Sequence, residues 1–185
     1  DTEDDDDDND GTPDDKEDKE DTGETPVDKV IVFTYKVSVD KVDENDNALA
    51  GAEFKLEKQQ ADGSWKEIAL TVTDGTNFSA KGLDDGFYKI TETETPAGYN
   101  TVDPTYFKVE ATHDEEANEP ALKTLVVTVT DENGEAVENG VSDATTGDLG
   151  YFKIDLADGS MSTKIVNKAG TVLPETGGMG TTLFY

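Results

Sequence analysis

The chain has 185 residues, 44 of them Asp or Glu against 15 basic side chains, all lysine, giving a formal charge of −29; it has one histidine and no cysteine. Such a charge opposes nucleic acid and anionic membranes, because phosphate recognition needs clustered Lys or Arg. Without thiols there are no disulfides, thiolate metal sites or Cys nucleophile, and a lone His113 excludes a multi-His zinc site and most histidine-based catalysis.

The acidity is uneven. Residues 1–29 hold 16 acids and 3 lysines, a net −13, which leaves −16 for residues 30–185. Residues 1–26 combine acids with Gly and Pro and contain no aromatic residue. This composition cannot bury enough surface to offset the entropy of ordering, so a disordered acidic linker is expected. Asp6, Asp8, Asp10, Gly11 and Glu17 satisfy a calcium-loop pattern literally, but acids dominate the tract, Pro13 interrupts it and no flanking helix is evident; no metal site and no cofactor is assigned. The chain begins at Asp1 without an apolar leader and ends at Tyr185 as apolar residues accumulate, so it reads as part of a longer protein.

From Val30 the pattern switches to period two. Ile31, Phe33, Tyr35, Val37 and Val39 share one face, and Thr34, Lys36, Ser38 and Asp40 the other, as in a half-buried strand. Further strands are predicted over 52–58, 65–70, 86–93, 106–111, 122–130, 151–156 and 161–167. Asp62-Gly63, Asp74-Gly75, Asp85-Gly86, Asn133-Gly134 and Asp158-Gly159 are expected to supply positive φ at turns. Residues 113–121 and 131–148 read as polar loops, His113 as a solvated loop residue, and Trp65 as partial core or edge packing. Seven to nine short strands without helical periodicity predict an all-β antiparallel sandwich.

Three polar residues fall in phase with apolar sets. Lys41 continues the Val37, Val39 face; Glu92 follows Tyr88 and Ile90; Asn167 follows Met161, Thr163 and Ile165. Buried amines and acids are favoured in their neutral forms, and a neutral amine is a nucleophile. Were Lys41 to face the Asn167 carboxamide, Glu92 as an acid could hydrogen-bond the amide oxygen and relay protons from the attacking nitrogen to departing ammonia. Fixed proximity would supply much of the acceleration, effective molarities of ~10⁵ M or more being available to well-oriented groups. The product is a Lys–Asn isopeptide bond.

A family resemblance rests on these segments. Val39-Asp40-Lys41-Val42-Asp43 followed by Leu49-Ala50-Gly51-Ala52-Glu53-Phe54-Lys55-Leu56 resembles the opening of a CnaB-type domain. Tyr88 to Tyr99 resembles the E-box of Gram-positive pilins, Tyr-x-Leu-x-Glu-Thr-x-Ala-Pro-x-Gly-Tyr, with Ile90 in place of Leu and Thr95 in place of Ala. Ile165-Val166-Asn167 is similar to the strand carrying the family's reactive Asn. The resemblance implies an inverse immunoglobulin-like β-sandwich over residues 27–170, with Lys41 and Asn167 as bond partners and Glu92 as proton relay. Glu94 is its nearest competitor.

Beyond this domain, residues 171–185 contain Leu173-Pro174-Glu175-Thr176-Gly177, which matches the Leu-Pro-x-Thr-Gly sorting signal. By resemblance, a sortase attacks the Thr176 carbonyl and passes the chain to an amine of peptidoglycan or of a neighbouring pilin subunit. The implied protein is secreted to the Gram-positive cell wall and serves as a structural pilus subunit, with an adhesin stalk as the alternative. It is a sortase substrate whose only chemistry is one intramolecular turnover, not an enzyme. No partner nucleic acid is expected.

Overall fold

The computed structural model describes residues 34–114, 121–147 and 150–170; the acidic tract, Ile31, Phe33 and the Leu173–Gly177 signal lie outside the described residues. Among the described residues eleven strands run in chain order: β1 Tyr35–Asp43, β2 Glu53–Gln59, β3 Trp65–Ile68, β4 Thr71–Thr73, β5 Asn77–Leu83, β6 Gly86–Glu94, β7 Thr105–Asp114, β8 Ala121–Thr130, β9 Ala136–Asp143, β10 Lys153–Asp155 and β11 Ser160–Asn167. They form two sheets, one ordered β10-β11-β1-β5-β4 and the other β3-β2-β6-β7-β8-β9. The all-β sandwich expected from the two-residue period is therefore the observed architecture.

Period two does the sorting. Val37, Val39, Phe78 and Met161 of the five-stranded sheet are buried against Leu56, Tyr88, Phe107 and Val127 of the six-stranded sheet. Aromatic pairs bind the core within and across layers: Tyr88 stacks on Phe107 at 5.4 Å, and Phe54 meets Phe78 edge-on at 4.8 Å. Among the described residues, all but one of the strand pairs are antiparallel. The exception is β1 with β11, which run parallel with Lys41 opposite Ile165 and Asp43 opposite Asn167. Parallel neighbours need a long connection, and here the connection is the rest of the domain.

Several expectations are corrected. Residues 131–148 are not a loop, because β9 occupies Ala136–Asp143 as the edge of the six-stranded sheet. An edge strand buries little and tolerates polar residues, which hid it from a hydrophobicity pattern. His113 and Asp114 likewise belong to β7, and the His113 ring is half-buried with the Tyr35 hydroxyl 3.2 Å from Nε2. The β5 strand was missed because its alternation breaks at Lys81-Gly82, where a bulge opposite Tyr35 and Val37 puts Gly82 at φ 78°. The 65–70 run ends at Ile68, after which the chain crosses to the other sheet and forms β4.

Among the Gly turns, Gly63, Gly75, Gly134 and Gly159 do adopt positive φ, and each sits in a hairpin within one sheet. Gly86 does not. The link from β5 to β6 crosses between sheets and is no hairpin, and a Cβ at Gly86 would stand 2.5 Å from Cε of Lys58. That glycine provides clearance, not a left-handed turn.

Candidate functional site

Lys41, Glu92 and Asn167 all turn inward between the sheets, and Glu92 bonds Asn167. Lys41 and Asn167 come from the parallel pair β1 and β11, and Glu92 comes from β6 of the opposite sheet. Lys41 and Asn167 are 0% exposed and Glu92 is 7% exposed. The strand periodicity that buries Val37 and Val39 carries Lys41 inward by the same alternation; the same holds for Glu92 after Ile90. Glu94, two residues further along β6, is exposed.

The Lys41 amine donates to the backbone carbonyls of Val42 at 2.8 Å and Ile165 at 3.1 Å. Two N–H bonds are what a neutral amine owns; an ammonium would bring a third donor into the same buried space. Burial lowers the Lys41 pKa to about 8, against a smaller upward pull from the negative charge of Glu92 and then of Asp43. The two acceptors match the two N–H bonds that the neutral form of the amine offers.

The Asn167 carboxamide is held from two sides. Its Nδ2 donates to Glu92 Oε1 at 3.0 Å and to the Asn100 carbonyl at 2.7 Å. Sequence reasoning expected Glu92 to engage the amide oxygen; the contact is instead to the amide nitrogen. The Asn100 carbonyl explains this, since it accepts only an N–H and so turns Nδ2 toward itself and Glu92. Oε1 also accepts from the Thr95 hydroxyl at 3.0 Å and from Val102 N–H at 3.4 Å. Glu92 Oε2 and Asn167 Oδ1 are buried without a hydrogen-bond partner among the described residues. Buried polar atoms normally find partners.

The segment after β6 roofs the site. Pro96 is buried, Tyr99 N–H bonds the Pro96 carbonyl at 3.1 Å, and Gly98 sits at φ 85°, a turn that brings the chain back over β11. Asn100 N–H then bonds the Lys168 carbonyl at 2.9 Å, and Gly170 N–H bonds the Gly98 carbonyl at 2.9 Å. A Cβ at Gly170 would lie 2.5 Å from Asn100 Oδ1, so a larger residue there would push the Asn100 side chain aside. Asn100, Thr101 and Val102 were not singled out from sequence, and Thr95 only as a departure from the E-box pattern. Their contribution is through a hydroxyl or the backbone, and only the turn reveals it.

Trp65 lies on the outer face of the six-stranded sheet, packed on Phe87 at 5.5 Å and Tyr106 at 6.0 Å, with the Lys89 ammonium 4.4 Å from its ring centre. Lys89 also pairs with Glu57 at 3.3 Å, which pairs in turn with Lys55 at 3.0 Å. This is a sheet-surface cluster, as the edge-packing expectation for Trp65 implies.

Residues 35–120 match the SpaA family, a prealbumin-like fold domain. The matched stretch starts with β1, and it contains Lys41 and Glu92 but not Asn167. No curated protein matches the chain. Among solved structures, the pilus adhesin SpaC of Lactobacillus rhamnosus GG in its open conformation is 24% identical with a TM-score of 0.44; the overlap covers 77% of this chain and 15% of that one. BcpA, the major pilin subunit of Bacillus cereus, is 20% identical over 73% of this chain and 29% of its own, with a TM-score of 0.41. The shaft pilin SpaA of Lactobacillus rhamnosus GG is 16% identical over 77% and 50%, with a TM-score of 0.38. The chain thus spans half or less of the length of each of these relatives. At such TM-scores the overlaps describe a likeness and no more.

Proposed function

We propose that this chain is a structural cell-surface protein, a CnaB-type domain of a sortase-assembled pilus subunit stabilised by an autocatalytic Lys41–Asn167 isopeptide bond. Residues 27–170 form the domain, residues 1–26 a spacer, and residues 171–185 the sorting segment through which Leu173–Gly177 is cut and joined to peptidoglycan or a neighbouring subunit. The observation that carries the reading is the burial of an amine, an acid and a carboxamide together, with the amine's N–H bonds on carbonyls and the acid's Oε1 on the departing nitrogen. The match of residues 35–120 to the SpaA prealbumin-like fold domain agrees with it.

In this mechanism the neutral Lys41 amine attacks Asn167 Cγ. The new Nζ–Cγ bond forms, the Cγ–Nδ2 bond breaks, and one hydrogen of the amine reaches the leaving nitrogen through Glu92, so that ammonia departs and Glu92 ends as it began. Glu92 Oε1, already bonded to Nδ2, stands where that proton must arrive. The reaction occurs once per chain, so the protein is not an enzyme. The stalk of a wall-anchored adhesin would use the same clip; incubation with a polymerising sortase separates the two, a ladder supporting the pilus subunit and a single product the stalk.

The direct test is intact mass. The purified chain is expected to weigh one ammonia less than its sequence, and Glu92→Ala to weigh the full value. A wild-type chain at full sequence mass removes the cross-link.

A further inference from the structure

A buried acid that must hold a proton at the right moment needs a route to exchange it. Glu92 is 7% exposed, and the Lys41 amine directs its hydrogen bonds to the Val42 and Ile165 carbonyls, not to Glu92. Before attack, therefore, no hydrogen bond among the described residues carries a proton from amine to acid. Another path does reach the surface. The Thr95 hydroxyl donates to Glu92 Oε1 at 3.0 Å, and Thr95 Oγ1 lies 2.6 Å from Thr101 Oγ1. Thr95 is half-buried and Thr101 is exposed. Because the Thr95 hydrogen points to the carboxylate, Thr101 is the donor in the second bond, and the chain of O–H bonds runs from water inward.

We propose that Thr95 and Thr101 form a hydroxyl relay that delivers a proton from bulk water to Glu92 and so readies it for isopeptide formation. The inference rests on the cross-link reading and adds to it a route that the E-box pattern lacks, since that pattern has Ala where this chain has Thr95. In one relay event a proton passes from water to Thr101 Oγ1, the Thr101 proton to Thr95 Oγ1, and the Thr95 proton to Glu92 Oε1. Both hydroxyls are neutral before and after, and Glu92 gains one proton. The amine releases its own proton to water as β1 becomes buried. Thr95 and Thr101 touch neither reacting atom; they act through Glu92.

The test follows ammonia loss with time by intact mass, on the full chain made in a short synthetic pulse and then chased. Thr95→Val and Thr101→Val are each expected to slow ammonia loss by ~10-fold or more, short of the ~10²–10⁴-fold that positioned proton transfer contributes in full, while reaching the same final mass. Thr95→Ser restores the hydroxyl and is expected to run within about twofold of wild type. Thr101 is exposed and does not touch Glu92, so its replacement leaves the Thr95–Glu92 bond and the core intact. A Thr101→Val chain that cross-links at the wild-type rate overturns the relay, even if Thr95→Val is slow, because Thr95 would then only position Glu92. Cross-linking of both Val variants at the wild-type rate overturns it as well, and in either case the cross-link itself stands. A wild-type chain that never loses ammonia removes both.

Discussion

At the scale of single residues, the decisive quantity is how many protons Lys41 and Glu92 hold between them. The productive pair, amine neutral and acid protonated, carries one proton, and so does the corresponding ion pair. One proton enters from water at Glu92 while the amine gives one up, so passing from one to the other takes no net proton from solution, and cross-linking is expected to be independent of pH from neutrality up to about 8, the pKa to which burial lowers Lys41. Above that the pair loses its last proton, and the rate should fall by about tenfold per pH unit. The sign separates two mechanisms. Were amine deprotonation the sole requirement, the rate would climb toward pH 8 and level off, and such a profile measured by ammonia release would remove Glu92 as an acid. All three residues were legible as polar members of apolar faces, because strand alternation alone determines which way a side chain points. What alternation could not supply was the amide's orientation, which depends on the Asn100 carbonyl from a turn.

At the scale of strands and turns, glycines distinguish a rigid neighbour from a yielding one. A Cβ at Gly140 in β9 would lie 2.5 Å from the Val129 carbonyl oxygen and 2.9 Å from that of Val137, both backbone atoms of the β8–β9 hairpin. Gly140→Ala must therefore displace the edge strand, with an expected loss of roughly 2 kcal/mol or more in denaturant unfolding, in the range of overpacked sites. At Gly86 the obstacle is the far end of Lys58, whose ammonium bonds Asp84 at the surface. Gly86→Ala moves a flexible side chain and weakens an exposed ion pair, a cost of about 1 kcal/mol or less. Equal losses at the two positions would contradict this assignment of which neighbour can give. The same scale shows where the pattern misled: β5 and β9 were passed over because a bulge and an edge position break the alternation on which strand recognition relies.

For the whole molecule, the parallel pairing of the first and last strands determines how tension is borne. Lys41 and Asn167 stand 126 residues apart, and a bond between them takes the intervening chain out of the load path. Pulled from its ends, the wild-type domain is expected to show no release of that segment. Lys41→Ala should unfold with a contour gain of about 420–450 Å, the extended length of the freed residues. Single-molecule force spectroscopy reads this directly, and a wild-type chain releasing the full length would show that no clip forms. By analogy with disulfides closing loops of comparable size, the bond should also add roughly 4–5 kcal/mol to stability.

Composition and periodicity by themselves determined the sandwich, its buried Lys41, Glu92 and Asn167, and the absence of thiol chemistry, because a two-residue repeat decides burial locally and element by element. Only the tertiary structure decided that β1 and β11 run side by side in parallel, that the Pro96–Tyr99 turn roofs the carboxamide, and that two threonine hydroxyls line up between Glu92 and water. Those facts depend on which strands become neighbours, a matter of long-range packing that no local pattern encodes.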